Sequence, residues 1–76
     1  SLGWYYFKVQ NYELAKRYLE QAANNNPDNE ILMHLAELYY VTKNQSSFDE
    51  TVEKIRHSKD RSEDVLNFFK RFDLTY

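Results

Sequence analysis

The 76-residue chain is expected to fold as an all-α domain of antiparallel helix hairpins. Three observations predict this. Apolar residues recur at the spacing of one helix face. A single glycine and a single proline leave little room for anything but helices and tight turns. Asn11, Asp28 and Ser47 stand where helices would start, and side chains of these types accept from amides that have no partner within a helix.

Taken in order, a first short helix carries Leu2, Gly3 and Tyr6 on one side and ends near Gln10. Asn11 caps a second helix, on which Tyr12, Ala15, Leu19 and Ala22 share a face. The small residues Gly3, Ala15 and Ala22 let two helix backbones approach closely, as the packing of a hairpin requires. Asn24, Asn25, Asn26 and Pro27 end the second helix, because the proline ring disfavours helical geometry at Asn26. Asp28 caps a third helix running to about Lys43. Ser47 with Glu50 forms a capping box for a fourth, to about His57, and Asp60 with Glu63 another for a last helix. On that last helix Val65, Phe69 and Phe72 fall on one face, widened by Leu66.

The first two helices recur. Leu35, Ala36 and Tyr39 answer Leu2, Gly3 and Tyr6 at a separation of 33 (35−2, 39−6). Phe48 answers Tyr12, and Ile55 answers Leu19, at 36 (48−12, 55−19), which implies a second turn three residues longer, at Asn44 to Ser47. Thr51 then stands opposite Ala15, and Ser58 opposite Ala22.

Leu2, Gly3, Tyr6, Tyr12, Ala15, Leu19, Ala22 and Pro27, with this second copy, resemble most of the motif of a tetratricopeptide repeat, whose period is about 34 residues. The early tryptophan of that motif would precede Ser1. The resemblance implies a right-handed superhelix of antiparallel helix hairpins, with repeat 1 over about 1–27, repeat 2 over about 28–58, and a helix over about 60–73. That helix either closes the array or begins a third repeat; coverage of the last open face favours closure. The abrupt opening inside a helix pattern suggests a piece of a longer chain.

Composition narrows the function. At 42% hydrophobic and 29% charged, the sequence is that of globular material rather than of a disordered segment. A net charge of −2 argues against nucleic acid, whose binding needs a concentrated basic patch. The absence of cysteine removes disulfides, thiolate metal sites and cysteine nucleophiles. No apolar run reaches the roughly 20 residues that span a bilayer. His34 with Glu37 supplies two possible ligands where zinc needs three or four, and one glycine permits no phosphate-binding loop. No cofactor and no enzymatic activity are expected.

In tetratricopeptide repeats the first helix of each repeat lines a concave groove that takes a peptide or helix of a partner. The resemblance therefore implies a partner-binding stripe of Trp4, Phe7, Lys8, Met33, Glu37 and Tyr40. Trp4 and Phe7 read equally well as core against a neighbouring repeat. Some family members bind carboxylate-ended tails through a clamp of Lys, Asn and Arg. Here the matching positions carry Trp4 and Glu37, so an apolar or basic protein segment suits the stripe better. The expected function is a protein–protein interaction module with a scaffold role. The alternative is a structural spacer or oligomerisation unit without a ligand, and open helix faces make a homo-oligomer an expected partner as well.

Overall fold

The computed structural model describes residues 2–26 and 28–75, the side chain of Leu2 excepted. The expected inward position of Leu2 and the stop at Pro27 lie outside the described residues. Five helices run through them: α1 (Leu2–Lys8), α2 (Tyr12–Asn25), α3 (Asn29–Val41), α4 (Gln45–His57) and α5 (Glu63–Arg71). The described chain is all-α, without a strand.

Two connections of the same design fold α1 onto α2 and α3 onto α4. Each has three residues and turns through one left-handed residue, Gln10 at φ 64° and Lys43 at φ 62°. The last carbonyls of the preceding helix would otherwise go unpaired. Asn11 N donates to Tyr6 O at 2.9 Å and Gln10 N to Phe7 O at 3.0 Å; Asn44 N donates to Tyr39 O at 2.8 Å and Lys43 N to Tyr40 O at 3.2 Å. Asn11 Oδ1 then accepts from Leu14 N at 3.5 Å, and Asn44 Oδ1 from Ser47 N at 3.4 Å.

This pairing corrects the expected start of the fourth helix. Ser47 is not its cap but a residue of its first turn, because Asn44 stands beside Lys43 as Asn11 stands beside Gln10. The second turn is therefore no longer than the first, and the recurrence keeps a separation of 33 throughout (43−10, 44−11, 52−19). Phe48 replaces Ala15 at that separation, and Val52 replaces Leu19; all four are buried. Thr51, also buried, satisfies its hydroxyl by donating to Ser47 O at 2.8 Å. Asp60 is likewise not the cap of α5. Ser62 holds that place, and Asp60 accepts from Ser62 N at 2.8 Å and from Asn29 Nδ2 at 2.9 Å.

The core centres on α3, which packs against α2, α4 and α5, while α1 packs on α2. Leu32, Leu35, Ala36, Leu38 and Tyr39 of α3 meet Ala15 and Leu19 of α2, Phe48, Val52 and Ile55 of α4, and Val65, Phe68 and Phe69 of α5. The inward face of α5 is rotated from the expected one. Phe68 is buried, packed 4.9 Å from Phe72, and Leu66 is left 43% exposed. α5 also ends as α1 and α3 do, with Asp73 at φ 57° and Leu74 N donating to Phe69 O at 2.8 Å.

Two contacts fix α1 and α3 to α2. A Cβ added at Gly3 would lie 2.8 Å from Leu19 Cγ and 3.2 Å from Leu19 N, so this position admits no side chain without a shift. Tyr39 donates its hydroxyl to Glu20 of α2, and burial together with that bond raises its pKa well above the ordinary tyrosine range.

Gly3→Ala should lower unfolding free energy by about 1 kcal/mol in urea titrations, since overpacking of about 1–3 kcal/mol exceeds the gain of up to about 1 kcal/mol in helix propensity. The Tyr39 hydroxyl should add stability that is complete below about pH 10, where the unfolded phenol begins to ionise. It is lost as pH rises further toward the folded value. Melting curves across that range should therefore fall less steeply for Tyr39→Phe than for the natural chain.

Candidate functional site

The face of α1 and α3 turned away from α2 and α4 joins α5 in a groove. One depression, of about 270 Å³, is lined by Trp4 of α1, Met33, His34 and Glu37 of α3, and Asp64, Asn67, Phe68 and Arg71 of α5. A second, of about 310 Å³, shares Met33 and Asp64 with the first. It continues past Val65 toward Asp28, Glu30 and Asp60.

Helical periodicity explains the convergence. His34 and Glu37 are one turn apart on α3, and Asp64, Asn67 and Arg71 occupy successive turns of α5, so each set forms a ridge. The ridges come together because the buried faces of the two helices, Leu35 and Leu38 on α3 and Val65 and Phe69 on α5, point into the common core.

Of the expected stripe, Trp4, Met33 and Glu37 share this groove. Trp4 is half-buried between two rings. It stacks on His34 with centroids 4.0 Å apart and 11° between planes, and on Phe7 at 4.7 Å and 14°. Phe7 thus supports Trp4 from behind and also leans on Tyr12 at 5.7 Å. Lys8 is exposed, with Nζ 5.9 Å from the Trp4 ring centroid. Tyr40 stands apart from the lining. It is 58% exposed and packs against Phe72 at 4.9 Å and Phe48 at 5.8 Å. Tyr6 faces the other way and stacks on Tyr18 at 5.5 Å.

The groove is charged as well as aromatic. Arg71 Nη2 donates to Glu37 Oε1 at 2.5 Å, and its guanidinium lies 4.6 Å from the Phe72 ring. Asp60 is held below the ordinary carboxylate range by the bonds from Asn29 and Ser62, so it is ionised at neutral pH. His34 has its pKa lowered, first by burial, against the opposing pull of Glu30 and Glu37. It is therefore a neutral ring at physiological pH, suited to lie flat on the indole.

Sequence reasoning weighed His34 only as a metal ligand and missed the contribution of α5. Among the described residues no three of His, Cys, Asp and Glu gather as a metal site, and no helix is long and apolar enough to cross a membrane. The signal for α5 was present in its polar residues Asp64, Asn67 and Arg71 at helical spacing opposite Val65 and Phe69. Other depressions offer less. A shallow one of about 900 Å³ runs along α2 alone, from Asn11 to Asn24. An apolar one of about 290 Å³ is lined by Gly3, Tyr18, Leu19, Ala22 and Ile31 among others.

Trp4 is the sole tryptophan of the chain, so its emission reports on the groove. Acidification should change that emission with a midpoint below about pH 6.5, as His34 gains its proton against burial. The contribution of His34 to stability is present above its unfolded pKa and lost as pH falls through the lower folded one. In His34→Phe the emission step should vanish, and an unchanged step would assign it to another group. No family model, curated protein or solved structure matches the chain.

Proposed function

We propose that the chain is a protein-interaction module of tetratricopeptide-repeat type, whose groove takes a short segment of a partner protein. In this reading α1, α3 and α5 are the first helices of successive units in a right-handed superhelix of hairpins. The recurring turn at Gln10 and Lys43, and the matching end of α5 at Asp73, support it. The observation that carries it is the convergence of Trp4, Met33 and Glu37 with Asn67 and Arg71 in one groove. A depression flanked by aromatic rings and lined by polar tips is the surface composition that recognises protein segments.

A second reading, a spacer or self-association unit without a ligand of its own, is favoured by the apolar depression at Gly3, Leu19 and Ile31. The two readings separate cleanly in one experiment. Peptides are selected from a displayed random library on the immobilised chain and mapped by amide chemical shifts. The interaction reading expects shifts concentrated at Trp4, Met33 and Asn67. Asn67→Trp, which fills the groove from an exposed position, should lower affinity by about tenfold or more with helicity intact. Failure to select any groove-binding peptide, together with concentration-dependent association in light scattering, would establish the spacer reading instead.

A further inference from the structure

Resting on the reading of the groove as a docking surface, we infer that its occupant is a basic segment whose arginine or lysine side chain displaces Arg71 from Glu37. The protein itself displays the ligand class. Arg71 is more than half exposed, at 56%, and lays its guanidinium on the Glu37 carboxylate at 2.5 Å, at the edge of the depression walled by Trp4 and Phe68. A guanidinium supplied by another chain would meet the same carboxylate, with Trp4 and Phe68 of the lining beside it, a combination that suits a cation on a long apolar stem.

Charge along the groove points the same way. Beyond Met33 the lining continues through Asp64 to Asp28, Glu30 and Asp60, and among the described residues Arg71 is the one Lys or Arg in the lining of either depression. A partner carrying two or three spaced cations would therefore gain attraction along the carboxylates from Glu37 to Asp60, whereas an acidic segment would meet repulsion there and find cations only at Arg71 and at Lys8 beside Trp4. Arg71 acts as an internal competitor. It keeps Glu37 paired while the groove is empty, and it sets the cost that an incoming cation must exceed.

The test uses the full chain and three matched peptides in which leucine alternates with arginine, glutamine or glutamate, read by Trp4 emission and amide shifts. The arginine peptide should bind most tightly and weaken as salt is raised. Arg71→Gln should tighten it by about two- to fivefold, the range expected for one exposed ion pair, and Glu37→Gln should weaken it to a similar degree. Glu13→Gln, on an exposed part of α2 outside the groove, should change nothing. If Arg71→Gln loses helicity, Arg71→Met keeps the packing on Phe72 and serves in its place. Weaker binding in the Arg71 variant, preference for the glutamate peptide, or equal effects of the Glu37 and Glu13 changes would overturn the inference while leaving a docking groove. Silence of Trp4 toward these peptides and toward every library-selected peptide would remove the groove reading itself.

Discussion

The arrangement depends on how closely helix backbones approach around α2 and α3. Gly3, Ala15 and Ala36 are small residues at positions of complete or near-complete burial, and Leu19 fills the space that Gly3 leaves. Dense packing of this kind tolerates little displacement, because a methylene added or removed in the core is felt by all its neighbours. It follows that the outward faces of α1 and α3 are also fixed relative to each other. The stack of Trp4 on His34 is a consequence: the rings meet at 4.0 Å because the backbones behind them are held by small residues.

Polar contacts then orient what packing alone leaves free. Asn29 at the start of α3 donates to both Ser58 Oγ at 3.0 Å and Asp60 Oδ2 at 2.9 Å, joining the beginning of α3 to the segment that leads into α5. Arg56 of α4 reaches across to α5, stacking over Phe69 at 5.5 Å and donating from Nε to Thr75 O at 3.0 Å. A few directed bonds of this sort add modestly to stability, but they select one orientation from several that apolar contact would accept. The third wall of the groove is set by these residues.

Much of the helical framework was legible in the sequence. Asn11 and Asp28 act as caps where their chemistry said they would, and the apolar faces of α2 and α3 lie inward. The errors share a cause, which is that a local motif was read without its competitor. Ser47 and Glu50 make a plausible capping box, yet Asn44 lies one residue past the left-handed turn and takes the role first. Reading Phe48 as the partner of Tyr12 reinforced that slip, since an aromatic was matched to an aromatic where the core had exchanged Ala15 for a larger ring. Leu66 and Phe68 differ by less than one turn, and only contact with α3 decides which is buried. At the candidate site, the repeat resemblance puts Trp4, Met33 and Glu37 on one stripe. The pairing of Glu37 with Arg71 joins residues 34 apart in the chain and depends on the tertiary placement of α5.

The position of α5 has a thermodynamic consequence. This nine-residue helix packs chiefly on α3 and supplies Asp64, Asn67 and Arg71, so its release from α3 would dismantle one side of the groove. Short elements with few packed neighbours open more readily than the rest of a domain. Occupancy of the groove and docking of α5 are thus linked equilibria, in which a ligand that needs both walls draws the helix into place. Affinity at the groove then measures two events together: contact with the ligand, and the fraction of molecules in which α5 is already seated.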